Sequence, residues 1–575
     1  MTEYLNLKAA DCKNCYKCIR HCPVKAIQFT GNSAQIIPEE CILCGRCFVV
    51  CPQNAKEIRN DVSIAEALIG SGAPVYASLA PSFAANYTDE SSHALSIEQM
   101  ETALKELGFA GAEETALGAA IIKRQYDEMV KREDKNIVIS TCCHSVNLLV
   151  QKYYPEALPY IAPLLSPMQA HSVDLKRRYP GAKTIFIGPC ISKKDEADRY
   201  GGIVDCVLTF AELSQWFKQK RIDIGKCAPR NTESPVTHTL TRLFPVTGGI
   251  LRTMAKENPQ YTYLAIDGVT NIQRALEDII KGKLDKCFIE MSACTGSCIG
   301  GPSMQNVAAT NGIQRNTAPV RDYIAINAYA GSEDDPVFAY DTKTLSKSFP
   351  SLAVRKVHLG QNAIDEVLRK IGKTKPEHEL NCGCCGYNTC RDKALAVLEG
   401  KANLTMCLPY LIEKANSFSD DIIKNTPNAI IVLNESFEVQ QINNAACKML
   451  HINEHDILGD QVVRLLDPIP FIEVKDEEEN RYNQRTYLAD YKKHVEQTII
   501  YDKSYHIIIC IMRDITEAAD KKEEKTRFNQ ETIAIADKVI EKQMRTVQEI
   551  ASLLGETTAE TKIALTKLKE GLSGE

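Results

Sequence analysis

Ser140-Thr141-Cys142-Cys143-His144, Gly188-Pro189-Cys190-Ile191-Ser192-Lys193-Lys194-Asp195-Glu196 and Glu290-Met291-Ser292-Ala293-Cys294-Thr295-Gly296-Ser297-Cys298-Ile299-Gly300-Gly301 decide how the middle of this chain folds. Each stretch sits at the end of a short apolar run: Ile137–Ser140, Thr184–Ile187 and Phe288–Met291. Runs of that length and composition read as buried strands. Val75–Leu79 and Val204–Thr209 read the same way, while Ile97–Leu107, Ala211–Lys220 and Ile272–Lys281 carry helical periodicity between them. The alternation predicts an α/β core across residues 63–373. Its cysteines fall at the carboxyl ends of strands, where open α/β sheets place their ligands.

Working outward, 575 residues suggest about three or four domains. A net charge of −6 gives no basic footprint for nucleic acid. No apolar run reaches the roughly 18–20 residues of a membrane span. Met1-Thr2-Glu3-Tyr4-Leu5-Asn6 lacks the apolar core of a secretory signal. The expectation is a cytoplasmic protein with neither nucleic acid nor membrane among its partners. Of the 23 cysteines, eight lie between Cys12 and Cys51 and five between Cys382 and Cys407. Clustering of that kind in a large chain reads as metal binding rather than a disulfide scaffold.

Cys12-x2-Cys15-x2-Cys18-x3-Cys22-Pro23 recurs as Cys41-x2-Cys44-x2-Cys47-x3-Cys51-Pro52. This is the two-cluster bacterial ferredoxin run, in which the fourth cysteine of each repeat crosses to the other cluster. Cys12, Cys15, Cys18 and Cys51 are thereby expected to hold one 4Fe–4S cluster, and Cys41, Cys44, Cys47 and Cys22 the second. A zinc knuckle lacks both the duplication and the Cys-Pro. The predicted ferredoxin-like 2x4Fe–4S domain spans residues 1–62.

The three central motifs, in that order and with Ala80-Pro81-Ser82, resemble the catalytic domain of the iron-iron (FeFe) hydrogenase family. The resemblance covers residues 63–373. It implies an H-cluster: a 4Fe–4S cubane on Cys143, Cys190, Cys294 and Cys298, with Cys298 bridging to a diiron unit that carries CO, CN and an azadithiolate. It further implies that Lys193 hydrogen-bonds a cyanide and that backbone around Pro81 and Ser82 positions the other ligands. Cys142 would exchange a proton with the dithiolate amine, as a general acid/base. H2 and protons would be the substrates.

The departures from the family pattern bear on rate. Glu114 matches the first acid of the family's proton relay, but Leu117 and Ala162 stand where the second acid and the hydroxyl are expected. Neither side chain carries a proton. Gly188 and Ser292 replace methionines near the cluster, and His144 replaces a proline. The resemblance thus implies a site that binds H2 and turns it over slowly, with a path through His144 or water left open. Cys206, Cys227 and Cys287 belong to no motif and read as small buried hydrophobes.

Cys382, Cys385, Cys390 and Cys407, with Cys384 as an extra thiol, resemble a small 4Fe–4S domain over residues 374–412. A four-cysteine zinc site fits the same spacing. Lys373-Thr374-Lys375-Pro376 reads as the preceding linker. Residues 413–517 resemble a PAS sensor domain, on Thr426-Pro427-Asn428-Ala429-Ile430-Ile431-Val432, Asn443-Asn444-Ala445-Ala446 and the closing Asp514-Ile515-Thr516. Cys447 and Cys510 read as packing residues. In the charged helical tail, residues 518–575, Ile540, Met544, Val547, Ala551 and Leu554 are spaced 4, 3, 4 and 3, a short coiled-coil stripe that Gly555 is expected to interrupt. A soluble helix docked on its own domain is the other reading of that tail.

The expected fold class is multidomain α/β and α+β: ferredoxin-like domain, H-cluster α/β domain, small 4Fe–4S domain, PAS domain and helical tail. The resemblance favours an H2-sensing hydrogenase of low turnover. It would relay electrons through three additional 4Fe–4S clusters and signal through its PAS domain, as a homodimer, to a separate kinase or phosphatase. A metabolic hydrogenase serving a ferredoxin-like redox partner is the second reading. The third is a non-catalytic iron–sulfur assembly or redox protein without the diiron unit.

Overall fold

A computed structural model describes residues 4–87, 94–229, 239–304, 320–333, 340–354 and 360–572. The chain divides into two compact units after Leu411.

In the first unit, β1 (Leu5–Leu7) pairs antiparallel with β4 (Lys56–Ile58), and β2 (Ile27–Thr30) with β3 (Ser33–Ile36). Two short helices, Lys17–His21 and Arg46–Val49, hold the third cysteine of each repeat. Each starts from a left-handed residue, Tyr16 (φ 56°) or Gly45 (φ 70°), placed between the second and third cysteines. The reversal turns three thiols of a repeat toward one space.

The expected strands follow in two parallel sheets, together with two strands not foreseen from the sequence, Gly111–Glu114 and Thr262–Asp267. The first has the order β6-β5-β8-β9, built from β5 (Val75–Leu79), β6 (Gly111–Glu114), β8 (Lys183–Gly188) and β9 (Cys206–Thr209). The second has the order β10-β11-β7, built from β7 (Ile137–Ile139), β10 (Thr262–Asp267) and β11 (Cys287–Ser292). β7 and β9 are buried along their whole length, which is why they read as unbroken runs rather than alternations; β6 is equally buried, but Gly111-Ala112-Glu113-Glu114 carries no apolar run to announce it. Cys206, Cys227 and Cys287 are buried as expected.

A buried ammonium joins the ferredoxin repeats to these sheets. Lys194 Nζ donates to Asp61 Oδ2 (2.8 Å), Glu212 Oε1 (2.9 Å) and the Val207 carbonyl (3.0 Å). Glu212 also closes a capping box with Thr209 at the start of the helix Phe210–Lys220.

The third cysteine block belongs to the first unit as well. The helix Gln361–Lys370 packs Val367 and Leu368 against Ala394 of the helix Cys390–Leu398. The expected linker is not a free spacer: Lys373 is buried and donates to the His378 carbonyl at 2.6 Å.

The second unit holds a five-stranded antiparallel sheet of order β13-β12-β16-β15-β14. Its strands are β12 (Ala429–Asn434), β13 (Val439–Ile442), β14 (Arg481–Leu488), β15 (Lys493–Asp502) and β16 (Ile507–Asp514). Asn443 fastens its start, accepting from Ile430 N and Ala446 N and donating to the Ile423 and Asn428 carbonyls. Cys510 is fully buried in this core and Cys447 packs against its edge. The tail is one helix, Thr516–Leu572. It runs through Gly555, contrary to expectation, because one glycine costs only about 1 kcal/mol relative to alanine in a helix interior. Ile540, Met544, Val547 and Leu554 are all exposed along it. Among the described residues no helix is long and apolar enough to cross a membrane.

Glu113 on β6 tests the packing of the first sheet. Burial pushes its carboxyl up, but Arg178 and His171 together bring it down to about 2. A carboxyl lowered on folding stabilises the protein above its unfolded value near 4.5, and that gain is lost as pH falls toward 2. Glu113→Gln should therefore destabilise the protein on the order of 3 kcal/mol at pH 7. The difference from wild type should shrink steadily on acidification, as read by urea unfolding at a series of pH values.

Candidate active site

The carboxyl ends of β7, β8 and β11 converge on a cavity of about 110 Å³. Its walls carry Cys142, Cys143, Cys190, Cys294, Cys298, Lys193, Pro81, Ser82 and His144. Cys143 is the N-cap of the helix His144–Tyr153. Cys190 follows β8 and lies 3.1 Å from Ser192 Oγ. Cys294 and Cys298 flank a turn in which Gly296 is left-handed (φ 80°). Cys298 is exposed and lines the cavity.

Burial raises the Cys143, Cys294 and Cys298 thiols, and in each case Cys190 is the largest neighbouring charge that adds to the rise. Four sulfurs facing one another in a dry enclosure disfavour four thiolates. A cationic metal centre reverses that preference and deprotonates its thiols outright. Ser82 Oγ on the same wall is buried without a hydrogen-bond partner, which fits a polar group occupying the cavity. The donor set thus suits an iron–sulfur cubane with a polar unit beside it.

Lys193 Nζ donates to the Cys142 carbonyl (3.0 Å) and to Glu196 Oε2 (2.5 Å), leaving one N–H of its ammonium for the cavity. Glu196 also receives Lys347 at 2.5 Å. Burial would raise the Glu196 carboxyl, but the two lysines hold it well below the usual carboxylate range. His144 Nε2 meets Asp195 Oδ2 at 2.7 Å, and Asp195 is also held by Arg199. Gly188 has no room for a side chain: a Cβ there would lie 2.7 Å from the Phe186 ring. Phe186, which lines the cavity, fills the space. Ser292 is engaged with Ser297 Oγ at 2.9 Å.

Among the described residues Cys142 has one side-chain hydrogen-bond partner, and Lys193 and Glu290 lie close enough to bear on its charge. Burial pushes its thiol up to about 12. Its side-chain neighbour is Tyr126 Oη at 3.5 Å, itself fixed by Thr141 N (2.9 Å) and Thr141 Oγ1 (3.0 Å). Glu114 does not join it. That carboxylate ends β6, where Arg242 grips both oxygens and Tyr329 Oη donates at 2.7 Å. Leu117 and Ala162 are buried and apolar. Two residues escaped the sequence reading. Tyr126 stands alone in a helix and has no motif. Glu290 lies within a quoted motif, accepts from Gly248 N (2.9 Å) and Leu251 N (3.2 Å), and is pushed by burial up to about 7.

The ferredoxin thiols form two nests with crossed membership. Cys12, Cys15, Cys18 and Cys51 line one small pocket. Burial raises Cys41, Cys44 and Cys47, and the nearby Cys22 adds to the rise in all three. Cys44 also lines the central cavity. Cys382, Cys384, Cys385, Cys390 and Cys407 line a further pocket.

Residues 73–302 match the family model described as the iron-only hydrogenase large subunit, C-terminal domain. The central domain is similar to the iron-only hydrogenases. Flanking this hydrogenase domain, residues 11–55 match a 4Fe–4S dicluster domain, 379–409 an Fe–S cluster family and 418–515 the PAS fold. Iron hydrogenase 1 of Clostridium pasteurianum is 24% identical over 258 residues, 36% of this chain and 45% of that protein. The periplasmic [Fe] hydrogenase large subunit of Nitratidesulfovibrio vulgaris is 26% identical over 258 residues, 35% of this chain and 61% of that subunit. The chain thus spans roughly half the length of these hydrogenases. The nuclear prelamin A recognition factor of Xenopus laevis is 24% identical over 343 residues, 47% of this chain and 74% of that protein.

Removing one of the four convergent thiols, as in Cys294→Ser, should lower bound iron by about four atoms per chain. Cys142→Ala should leave iron and acid-labile sulfide unchanged. Metal analysis of the reconstituted variants checks both.

Proposed function

We propose that this chain is an H2-sensing FeFe hydrogenase of low turnover, cytoplasmic, that reports to a separate signalling protein. The observation that carries the proposal is the surroundings of Cys142. Its thiol faces the cavity, yet its side-chain hydrogen-bond partner is a tyrosine hydroxyl and the expected relay positions are Leu117 and Ala162. In this reading Cys143, Cys190, Cys294 and Cys298 hold the cubane, and Lys193, Pro81 and Ser82 border the diiron unit. That unit, when bound, supplies the metal that takes up H2 and a basic amine. Cys142 then holds one proton at Sγ beside the cavity. Tyr126 accepts or donates through Oη, but its other contact is Thr141, so a proton handed on in that direction moves slowly.

The carboxyl-terminal half supports a sensory role. The helix Leu408–Asn425 begins at the residue after Cys407, and the match to the PAS fold starts within it, at residue 418. The tail helix exposes Ile540, Met544, Val547 and Leu554, a stripe suited to a second copy of the chain. A kinase or phosphatase is the expected receiver of the signal. The retained Cys142 thiol and the paired ferredoxin nests favour a second reading, a metabolic hydrogenase exchanging electrons with a ferredoxin-like protein.

Infrared spectroscopy of the matured protein tests the proposal. CO and CN bands should be present and should shift under H2. Turnover at an electrode should fall orders of magnitude below that of a metabolic hydrogenase. Fast turnover would establish the second reading; loaded cubanes without CO and CN bands would refute both.

A further inference from the structure

The third cysteine block docks on the ferredoxin domain, and it does so at Cys22. Ile19 of the helix Lys17–His21 shares an apolar core with Tyr387, Ala396, Ala402 and Met406, and Cys22 and Cys385 pack against that core. Gly386 (φ +93°) makes the closest approach: a Cβ there would lie 2.9 Å from Ile19 Cγ2 and 3.2 Å from Arg20 N. Only a glycine allows that conformation and that proximity. Phe29 N donates to the Lys401 carbonyl at 2.8 Å, and Lys401 Nζ reaches Glu40 Oε1 at 2.8 Å.

Lys25 closes this seam. Its backbone is left-handed (φ 52°), three residues past Cys22. Its ammonium donates to the Gly386 carbonyl at 2.7 Å, and to the Ile19 and Arg20 carbonyls at 3.2 and 3.3 Å. One cation therefore caps the end of the helix leading to Cys22 and clasps the loop carrying Cys385. Arg20 adds a bond to the Cys384 carbonyl at 3.3 Å. Burial lowers the Lys25 ammonium, and Cys22, Asp392 and Cys385 counter that fall, so thiols of both nests bear on it. The nest that includes Cys22 also reaches the central cavity through Cys44.

The geometry points to Lys25 as a positioning residue that fastens the third cysteine block to the Cys22 nest, making that nest a branch point from which electrons pass directly to the third block. This deepens the sensory reading and rests on its electron relay. In each transfer one electron leaves the cluster of the Cys22 nest, which is oxidised, and reduces the cluster of the third block; no bond or proton moves. The electrons come from H2, or from a chemical reductant in the test.

Full-length reconstituted protein titrated with dithionite and followed by electron paramagnetic resonance gives the readout. In wild type the reduced third cluster, identified by its loss in Cys390→Ser, should be broadened by spin coupling to the Cys22-nest cluster. Lys25→Met should keep full iron content, shift both clusters to lower potential because an added electron loses its nearby cation, and weaken the coupling. Lys25→Arg should restore the wild-type potentials. A magnetically isolated third cluster in wild type would overturn the proposal, as would potentials unmoved in Lys25→Met. If Lys25→Met fails to load its clusters, the wild-type coupling decides alone. The dithionite titration does not need the diiron unit, so failure of the branch and failure of H2 sensing are read separately.

Discussion

The arrangement depends on one helix, Ser192–Arg199, whose two adjacent lysines face opposite ways. Lys193 turns into the cavity, and Lys194 turns back to Asp61 and Glu212. Both are buried, so neither ammonium is tolerable without its partners. Lys194 fixes where the ferredoxin repeats end against β9. Lys193, gripped by Glu196, fixes the Cys142 backbone through its carbonyl. A single turn of helix therefore registers the ferredoxin domain and the cavity on each other. Removing either lysine leaves a buried carboxylate partly unpaired, a change that usually costs several kcal/mol.

Much of this was legible in the sequence. Strand and cysteine positions go together because each motif follows a strand buried on both faces, and such strands announce themselves as apolar runs. The crossed nests follow from cysteine spacing alone. What escaped the sequence were contacts between residues far apart in the chain. Glu114 matched a relay acid by position, but Arg242 and Tyr329 claim it from more than a hundred residues away. Tyr126 reaches Cys142 because it shares a buried core with Val138 of β7. The third block read as a small 4Fe–4S domain of its own. Its docking on the ferredoxin repeats depends on Gly386 meeting Ile19, a fit that no spacing encodes.

The cavity combines a permissive half with a restrictive one. Four thiols and an unpartnered serine hydroxyl favour a charged inorganic guest. Phe186 narrows the space where a flexible side chain would otherwise sit, and buried aliphatic groups surround the proton-bearing thiol. A site so built favours holding a guest over exchanging with water, since Tyr126, the polar group bonded to that thiol, is already committed to Thr141.

The crossed nests also constrain how the protein is made. Cys22 emerges from the ribosome early but sits with Cys41, Cys44 and Cys47, so that nest is incomplete until the second repeat has been synthesised. The third block, more than three hundred residues later, then covers the Cys22 shoulder. The surroundings of Cys22 are therefore complete only after residues 382–407 have been made and have docked.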